Sequence, residues 1–470
     1  MDEKSVYTYR FLARLVIETK TPINIGNGQK GIKTDSPVIR DVNGLPFIPG
    51  TSLAGLIHHA MPSDERSSMG SQEEGSRIIF TEARMLDEDG RVLDGIVDAN
   101  RLNGNLLSHY RQLPIRQHAR IGHRGATEKR GKFDEEVVLK GTRFCFEVEM
   151  QEKDGDDTFF KSMLSAFKGK TFRIGSGSRS GFGQIDVVSC KYKKIDLANP
   201  EELTLYLQKS SSLAEEWSAY EPLELSTSVD PKWNEEERWT EYRLELVPQD
   251  FVLFGSGFGD DEADMTYVKE SYVEWHEGKP AKPVEAENVL LVPASSVKGA
   301  LSHRVAFHYN LQKGRTVEWL KENNKSPESI TGKNNEAVKT LFGSEGESNG
   351  KGKQRGNILI SDVIRPLNGS SQSKLLNHVA IDRFTGGAID GALFTEKTLY
   401  AKDEQIEIML LVHDAAFKGD SGEIIKKSLE SSLKDICSGM LPLGGGVNRG
   451  NGCFKGKMYI NNKMEYDGIN

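Results

Sequence analysis

Phe11-Leu12-Ala13-Arg14-Leu15-Val16-Ile17 leads into a glycine turn at residues 26–28. Phe11, Ala13, Leu15 and Ile17 share one side of a period of two, which predicts a strand over residues 9–19 with one buried face. The same combination returns later: alternation around Leu244 and Leu246 leads into Gly255-Ser256-Gly257. Further blocks recur in the same order. Pro49-Gly50-Thr51-Ser52-Leu53-Ala54-Gly55-Leu56 is answered by Pro293-Ala294-Ser295-Ser296-Val297-Lys298-Gly299-Ala300. Ile78-Ile79-Phe80-Thr81-Glu82-Ala83 is answered by Ile358-Leu359-Ile360-Ser361-Asp362-Val363, and His118-Ala119-Arg120-Ile121 by His378-Val379-Ala380-Ile381. A glycine block at residues 175–183 matches one at 444–452. Repetition on this scale makes each half a structural unit.

The elements between the blocks repeat too. Residues 51–59 begin with Thr and Ser and space their apolar side chains as a short helix does. Phe144, Phe146, Val148 and Met150 alternate, and Phe160, Leu164 and Phe167 have helical spacing before the first glycine block. Ile406, Ile408 and Leu410, then Ile425, Leu429 and Leu433, repeat this strand and helix before the second. Strand, helix, strands, helix, glycine loop, strand is the ferredoxin-like split βαβ order. The expected fold class is α+β: two tandem ferredoxin-like domains, each an antiparallel sheet with helices on one face and the other face free to bind. The domains are expected at residues 1–195 and 241–470. Residues 196–240 are acidic and Ser-rich, with Pro200, Pro222 and Pro231, and are expected to be a linker. Residues 312–356 form a polar insertion, with a short helix expected at 336–342 and a mobile part at 344–356.

Composition narrows the class. The chain has 470 residues, 37% hydrophobic and 28% charged, which suits a soluble globular protein of two or three domains. No apolar run approaches membrane-spanning length, and the N-terminal residues lack the basic-then-apolar pattern of a signal peptide. Cys145, Cys190, Cys437 and Cys453 show no metal-ligand spacing and fit reduced thiols. A cytoplasmic protein without a membrane partner is expected. The net charge of −8 disfavours a free-standing nucleic-acid binder, but binding needs only a local basic stripe. Arg116, Arg120, His123, Arg124, Lys129, Arg130 and Lys132 supply one.

The glycine blocks let a backbone approach phosphate closely and offer N–H donors. Neither ends in Gly-Lys-Ser/Thr, so neither is a Walker A loop. Both follow a helix and enter a strand, the reverse of the dinucleotide-binding order. No Ser-His-Asp or paired-carboxylate constellation is visible, and His58, His59, His303 and His308 lack metal spacing.

Thr34-Asp35-Ser36-Pro37-Val38-Ile39-Arg40-Asp41 is followed by Gly44-Leu45-Pro46-Phe47-Ile48-Pro49-Gly50-Thr51-Ser52-Leu53. These segments resemble the signature of the RAMP proteins, the backbone subunits of type III CRISPR RNA-guided effector complexes. Residues 378–394 and the glycine loops are similar to further blocks of that family. The resemblance covers both halves, so the chain looks like a tandem fusion of two backbone subunits. It implies partners: a CRISPR guide RNA, a target RNA and other effector subunits. In such complexes the subunits stack along the guide, and a β-hairpin from each pushes between bases of the guide–target duplex. An aspartate in the loop after the first strand supports cleavage of target RNA with a divalent cation, Mg2+. RNA carries its own nucleophile, the 2′-OH, so the protein need only hold the backbone in line and stabilise charge.

On this resemblance Asp35 is the catalytic and metal-binding candidate of the first half. Asp264 is its counterpart, nine positions after Gly255 as Asp35 is nine after Gly26. Asp260 and Asp261 are rivals in the same acidic loop, where Thr-Asp-Ser-Pro is absent. The ordinary alternative for each Asp is a turn cap. Hairpins are expected at 118–138 and 378–399. The first carries Arg120, Arg124, Lys129 and Arg130 for phosphates, the second Arg383, Phe384 and Phe394 for bases. Ser52, Ser296 and Lys298 near helix starts, with Gly175, Gly177, Arg179, Gly181, Gly444, Gly446, Arg449 and Gly450, complete the RNA-binding candidates. Ala54 stands opposite Lys298 in the repeat, so that contact exists in one half only. Two other readings fit the same residues. One is a structural backbone subunit without chemistry. The other is a CRISPR endoribonuclease that processes the guide precursor, although such enzymes as a rule have a single glycine loop and a histidine base.

Overall fold

Strand Tyr9–Thr19 runs down the middle of the first lobe, between Arg143–Glu152 and Ile185–Asp196, both antiparallel to it. Ile78–Phe80 extends the sheet on one side and Glu221–Pro222 on the other. The computed structural model describes residues 7–70, 74–226, 239–344 and 353–469. Phe11, Ala13, Leu15 and Ile17 are fully buried in a core that also takes in helices Gly50–Ala60 and Thr158–Ser165. Each large apolar side chain on that face contributes about 1.5–3 kcal/mol by leaving water.

The second lobe repeats the order. Ile358–Ile360, Ile406–His413, Trp239–Pro248 and Phe454–Ile460 are neighbours in its sheet, with Lys463–Asp467 at the edge. Tyr242, Leu244 and Leu246 pack in a core with helices Ala294–Gln312 and Gly422–Cys437. Both lobes are thus ferredoxin-like, in an α+β chain.

The outer faces of the two sheets differ. In the second lobe that face carries Arg243 stacked 4.1 Å over the Tyr459 ring, while Leu359 and Leu411 pair as buried apolar residues near one edge. In the first lobe it is covered, contrary to the expectation of a free face. Leu12 and Ile195 are buried with Tyr220, packed by Leu205, Tyr206 and Trp217. Arg14 donates to the carbonyl oxygens of Leu213 and Glu215 and lies 3.4 Å from Glu147. The covering residues fall in the stretch whose acid, Ser and Pro content suggested a linker. Asn199 caps helix Pro200–Leu207 by accepting from the Glu201 N–H at 3.0 Å. A few apolar anchors suffice to pin so polar a segment. Residues 227–238 of that stretch lie outside the described residues.

In the insertion Glu336–Phe342 is helical, capped by Asn335 at the Val338 N–H. Gly343–Ser344 pairs with Gln354–Arg355, so the ends of the segment expected to be mobile are held together; residues 345–352 lie outside the described ones.

The lobes share a packed seam. Val273 and Ala281, from the second half, join the first core, and Trp275 donates to the Gly141 carbonyl at 2.7 Å. Gly181 bridges Ser361. With φ +119° and no room beside Asp362, position 181 accepts only glycine. Among the described residues, no helix is long and apolar enough to cross a membrane.

Candidate active site

Two hairpins rise beside the lobes: Ile115–Ile121 with Thr127–Glu136, and Gln372–Ile381 with Ala388–Tyr400. Their registers make the lobes comparable residue by residue. His118 lies opposite Phe133, and His378 opposite Phe394. Each histidine stacks on that ring with centroids 4.8 Å apart. His118 Nε2 lies 2.9 Å from Glu135, and His378 Nε2 lies 3.2 Å from Glu396. Both histidines thus lie against the far strand of their own hairpins.

The loops carrying the candidate acids close alike. Gly26 bridges Val38, and Gly255 bridges Tyr267. The residue after each acid runs parallel to a hairpin glutamate: Ser36 beside Glu135, Met265 beside Glu396. This register makes Asp264 the equivalent of Asp35. The Asp35 N–H donates to Asp134 Oδ1 at 2.7 Å, and the Asp134 N–H donates back to Asp35 Oδ2 at 3.4 Å. The Asp264 N–H donates to Thr395 Oγ1 at 3.0 Å. Thr395 donates back to Asp264 Oδ2 from its N–H at 2.8 Å and its hydroxyl at 3.1 Å. Both acids are exposed to solvent, and Lys30 Nζ lies 3.3 Å from Asp35 Oδ1.

The rivals stand elsewhere on the loop. Asp260 pairs with Lys397 at 2.6 Å and caps the Glu262 and Ala263 N–H groups at 3.0 and 2.9 Å. Lys397 and those N–H groups hold its carboxyl below the ordinary carboxylate range. Asp261 is exposed on the same turn.

The glycine loops sit under the acid loops. Gly175 (φ +85°) and Gly444 (φ +97°) press against the carbonyls of Asn24 and Leu253, where a Cβ has no room. Buried Asn24 gathers the parts of the first site: it donates to the carbonyls of Ser36 at 3.2 Å and Glu136 at 2.7 Å, and accepts from Ser176 Oγ at 2.8 Å. Gly177, Gly446 and Gly450 also take positive φ in these loops.

The remaining candidates divide by place. At the seam, Arg179 donates to the Gly356 carbonyl, and burial together with Arg179 pushes the Lys298 ammonium below its usual value. Arg173 donates to Ser361 Oγ at 3.3 Å, and burial lowers its pKa to about 10. Ser52 and Ser296 lie in the first turns of helices that have no side-chain cap. Arg120, Lys129 and Arg383 are exposed on the hairpins, with Phe384 94% and Phe394 36% exposed. Arg449 pairs with Glu396 and lies over the Phe394 ring. Arg124, with His123, pairs with Glu328 of the insertion at 3.1 and 3.4 Å and keeps an exposed guanidinium. Arg116, read as part of the basic stripe, is buried between Glu270 and Asp362. The side chain of Arg130 lies outside the described residues.

Asp134, Thr395 and Asn24 were not among the sequence candidates. A signal for the first two existed, because Phe133-Asp134-Glu135 and Phe394-Thr395-Glu396 share a Phe-x-Glu pattern. Among the described residues no group of three or more His, Cys, Asp or Glu could hold a metal. The loop acids Asp35 and Asp264 would be the residues to hold a divalent cation; a single carboxylate fits a Mg2+ that keeps most of its waters.

The family model for the RAMP superfamily matches residues 16–186 and 277–455, one stretch in each lobe. The chain belongs to the RAMP superfamily. It is also similar to the CRISPR system Cms endoribonuclease Csm3 of Methanocaldococcus jannaschii. The two are 29% identical over 242 residues, covering 46% of this chain and 92% of that protein.

Proposed function

We propose that this chain is a backbone subunit of a type III CRISPR effector, which grips guide RNA and cleaves bound target RNA once in each lobe. The equivalence of Asp35 and Asp264 carries the reading: each exposed acid is tied to the same rung of a projecting hairpin. Membership of the RAMP superfamily and likeness to an endoribonuclease support it.

In this reading the seam cations Arg179 and Lys298 meet the guide backbone, while Phe384, Arg383 and Phe394 meet splayed bases. Arg120 and Lys129 meet phosphates. The target 2′-oxygen forms a bond to the adjacent phosphorus and the 5′-oxygen leaves. The loop carboxylate takes the 2′-OH proton, and water supplies one to the departing oxygen. A divalent cation bound at the acid would offset charge on the phosphate.

The bonds from Asp35 and Asp264 to backbone also suit a second reading, in which both acids only fasten loop to hairpin. Mapping cut positions on labelled target RNA separates the two. Asp35→Ala should remove one set of cuts and Asp264→Ala another, displaced along the target, with target binding retained. Unchanged products in both variants would leave only the structural reading.

A further inference from the structure

The two acid loops are glycine-rich, with Gly26, Gly28 and Gly31 in one and Gly255, Gly257 and Gly259 in the other. Such a loop does not by itself hold a side chain in one place. In both lobes the hairpin supplies a matching hold, joined in the first lobe by Lys30 at 3.3 Å from Asp35 Oδ1. A hairpin side-chain oxygen accepts the acid's own N–H, at 2.7 Å from Asp134 and 3.0 Å from Thr395. A hairpin N–H donates to Oδ2 of the acid, at 3.4 Å in the first lobe and 2.8 Å in the second. Backbone and carboxylate of each acid are thus fixed to one residue of the element that projects beside it.

We propose that Asp134 and Thr395 are positioning residues for cleavage at Asp35 and Asp264. This deepens the cleavage reading above and rests on it. The hairpin then does two jobs, because the element that meets RNA also sets where the acid stands. The lobes are not identical in this. Thr395 adds a second donor, its hydroxyl, to Asp264 Oδ2 at 3.1 Å. Asp134 instead places a second carboxylate beside Asp35 and relies on its acceptor oxygen. The needed atom therefore differs: an acceptor at position 134, a hydroxyl at position 395.

The test uses the full chain loaded with guide RNA and end-labelled target, under single-turnover conditions. Asp134→Ala should slow the first cut about ten- to a hundredfold, the size of effect that misplacing a reacting group produces. The second cut serves as internal control and should be unchanged, with target affinity within about twofold. Asp134→Asn keeps the acceptor and should restore the first cut. Thr395→Ala should slow only the second cut, and Thr395→Ser should restore it. A wild-type first cut in Asp134→Ala, with Asp35→Ala inactive there, overturns the positioning role and leaves the cleavage reading standing. An intact first cut in Asp35→Ala overturns the cleavage reading itself. Asp134→Asn as slow as Asp134→Ala, or affinity lost in step with rate, also overturns the positioning role. If Asp134→Ala does not assemble with guide, the Thr395 pair decides by the same criteria.

Discussion

Arg116 of the first lobe donates from Nε to Glu270 of the second at 2.8 Å, with both side chains buried. A second carboxylate, Asp362, pairs with the same guanidinium and also accepts the Ala294 N–H at 2.7 Å. The first hairpin's base is thereby joined to a helix start of the other lobe.

Removing Arg116 would leave two buried carboxylates facing each other. Arg116→Ala should destabilise the chain by about 3–5 kcal/mol, the usual cost of uncovering a buried charge. Chemical denaturation measures this. A loss below about 1 kcal/mol would mean that the seam opens to water around the acids.

Lys298 gives a pH dependence. Burial, then Arg179, lowers its pKa in the free protein. An RNA phosphate placed there favours the charged ammonium and raises the pKa again. Binding then takes up a proton in the window between the lowered and the restored pKa, so guide affinity should fall as pH rises through that window. Lys298→Ala should weaken guide binding about tenfold, flatten this pH dependence and reduce the salt slope by about one. An unchanged salt slope would remove Lys298 from the phosphate contacts.

Chelation tests the cation separately from the grip. Each site offers one loop acid, which is too few ligands for a closed protein cage. Excess chelator should stop both cuts while the guide stays bound, because the proposed guide contacts, Arg179 and Lys298, are side-chain cations that need no metal. Cuts that persist in chelator would assign the charge stabilisation to protein groups such as Lys30.

The fold was legible because the repeat and the period-two pattern agree: Phe11 to Ile17 form the pleat that the core buries. The cover on the first sheet was not legible. Leu205, Trp217 and Tyr220 are too sparse in an acidic stretch to show periodicity, and what they cover is set by tertiary contact with Leu12. The nine-residue spacing and the hairpin register agree that Asp264 stands where Asp35 stands in the other lobe. Asp134 and Thr395 escaped because their contacts with Asp35 and Asp264 depend on how loop and hairpin meet, which spacing along one strand does not reveal. Arg116 counted toward the basic stripe because a charge run does not show which members turn inward.

Asp260 provides the last separation. It neighbours Asp264 in sequence, but its carboxylate is spent on Lys397 and on two loop N–H groups. Lys397 also holds Glu262 at 2.6 Å, so one lysine fastens the turn at two points. Asp260→Ala removes the cap and one of those points, and the remaining bonds of Asp264 to Thr395 are untouched. The second cut should therefore slow by less than about tenfold, against complete loss in Asp264→Ala. Lys397→Met should resemble Asp260→Ala, because both loosen the same turn. If Asp260→Ala abolishes the second cut while Lys397→Met leaves it intact, then Asp260 rather than Asp264 is the acid that meets the RNA.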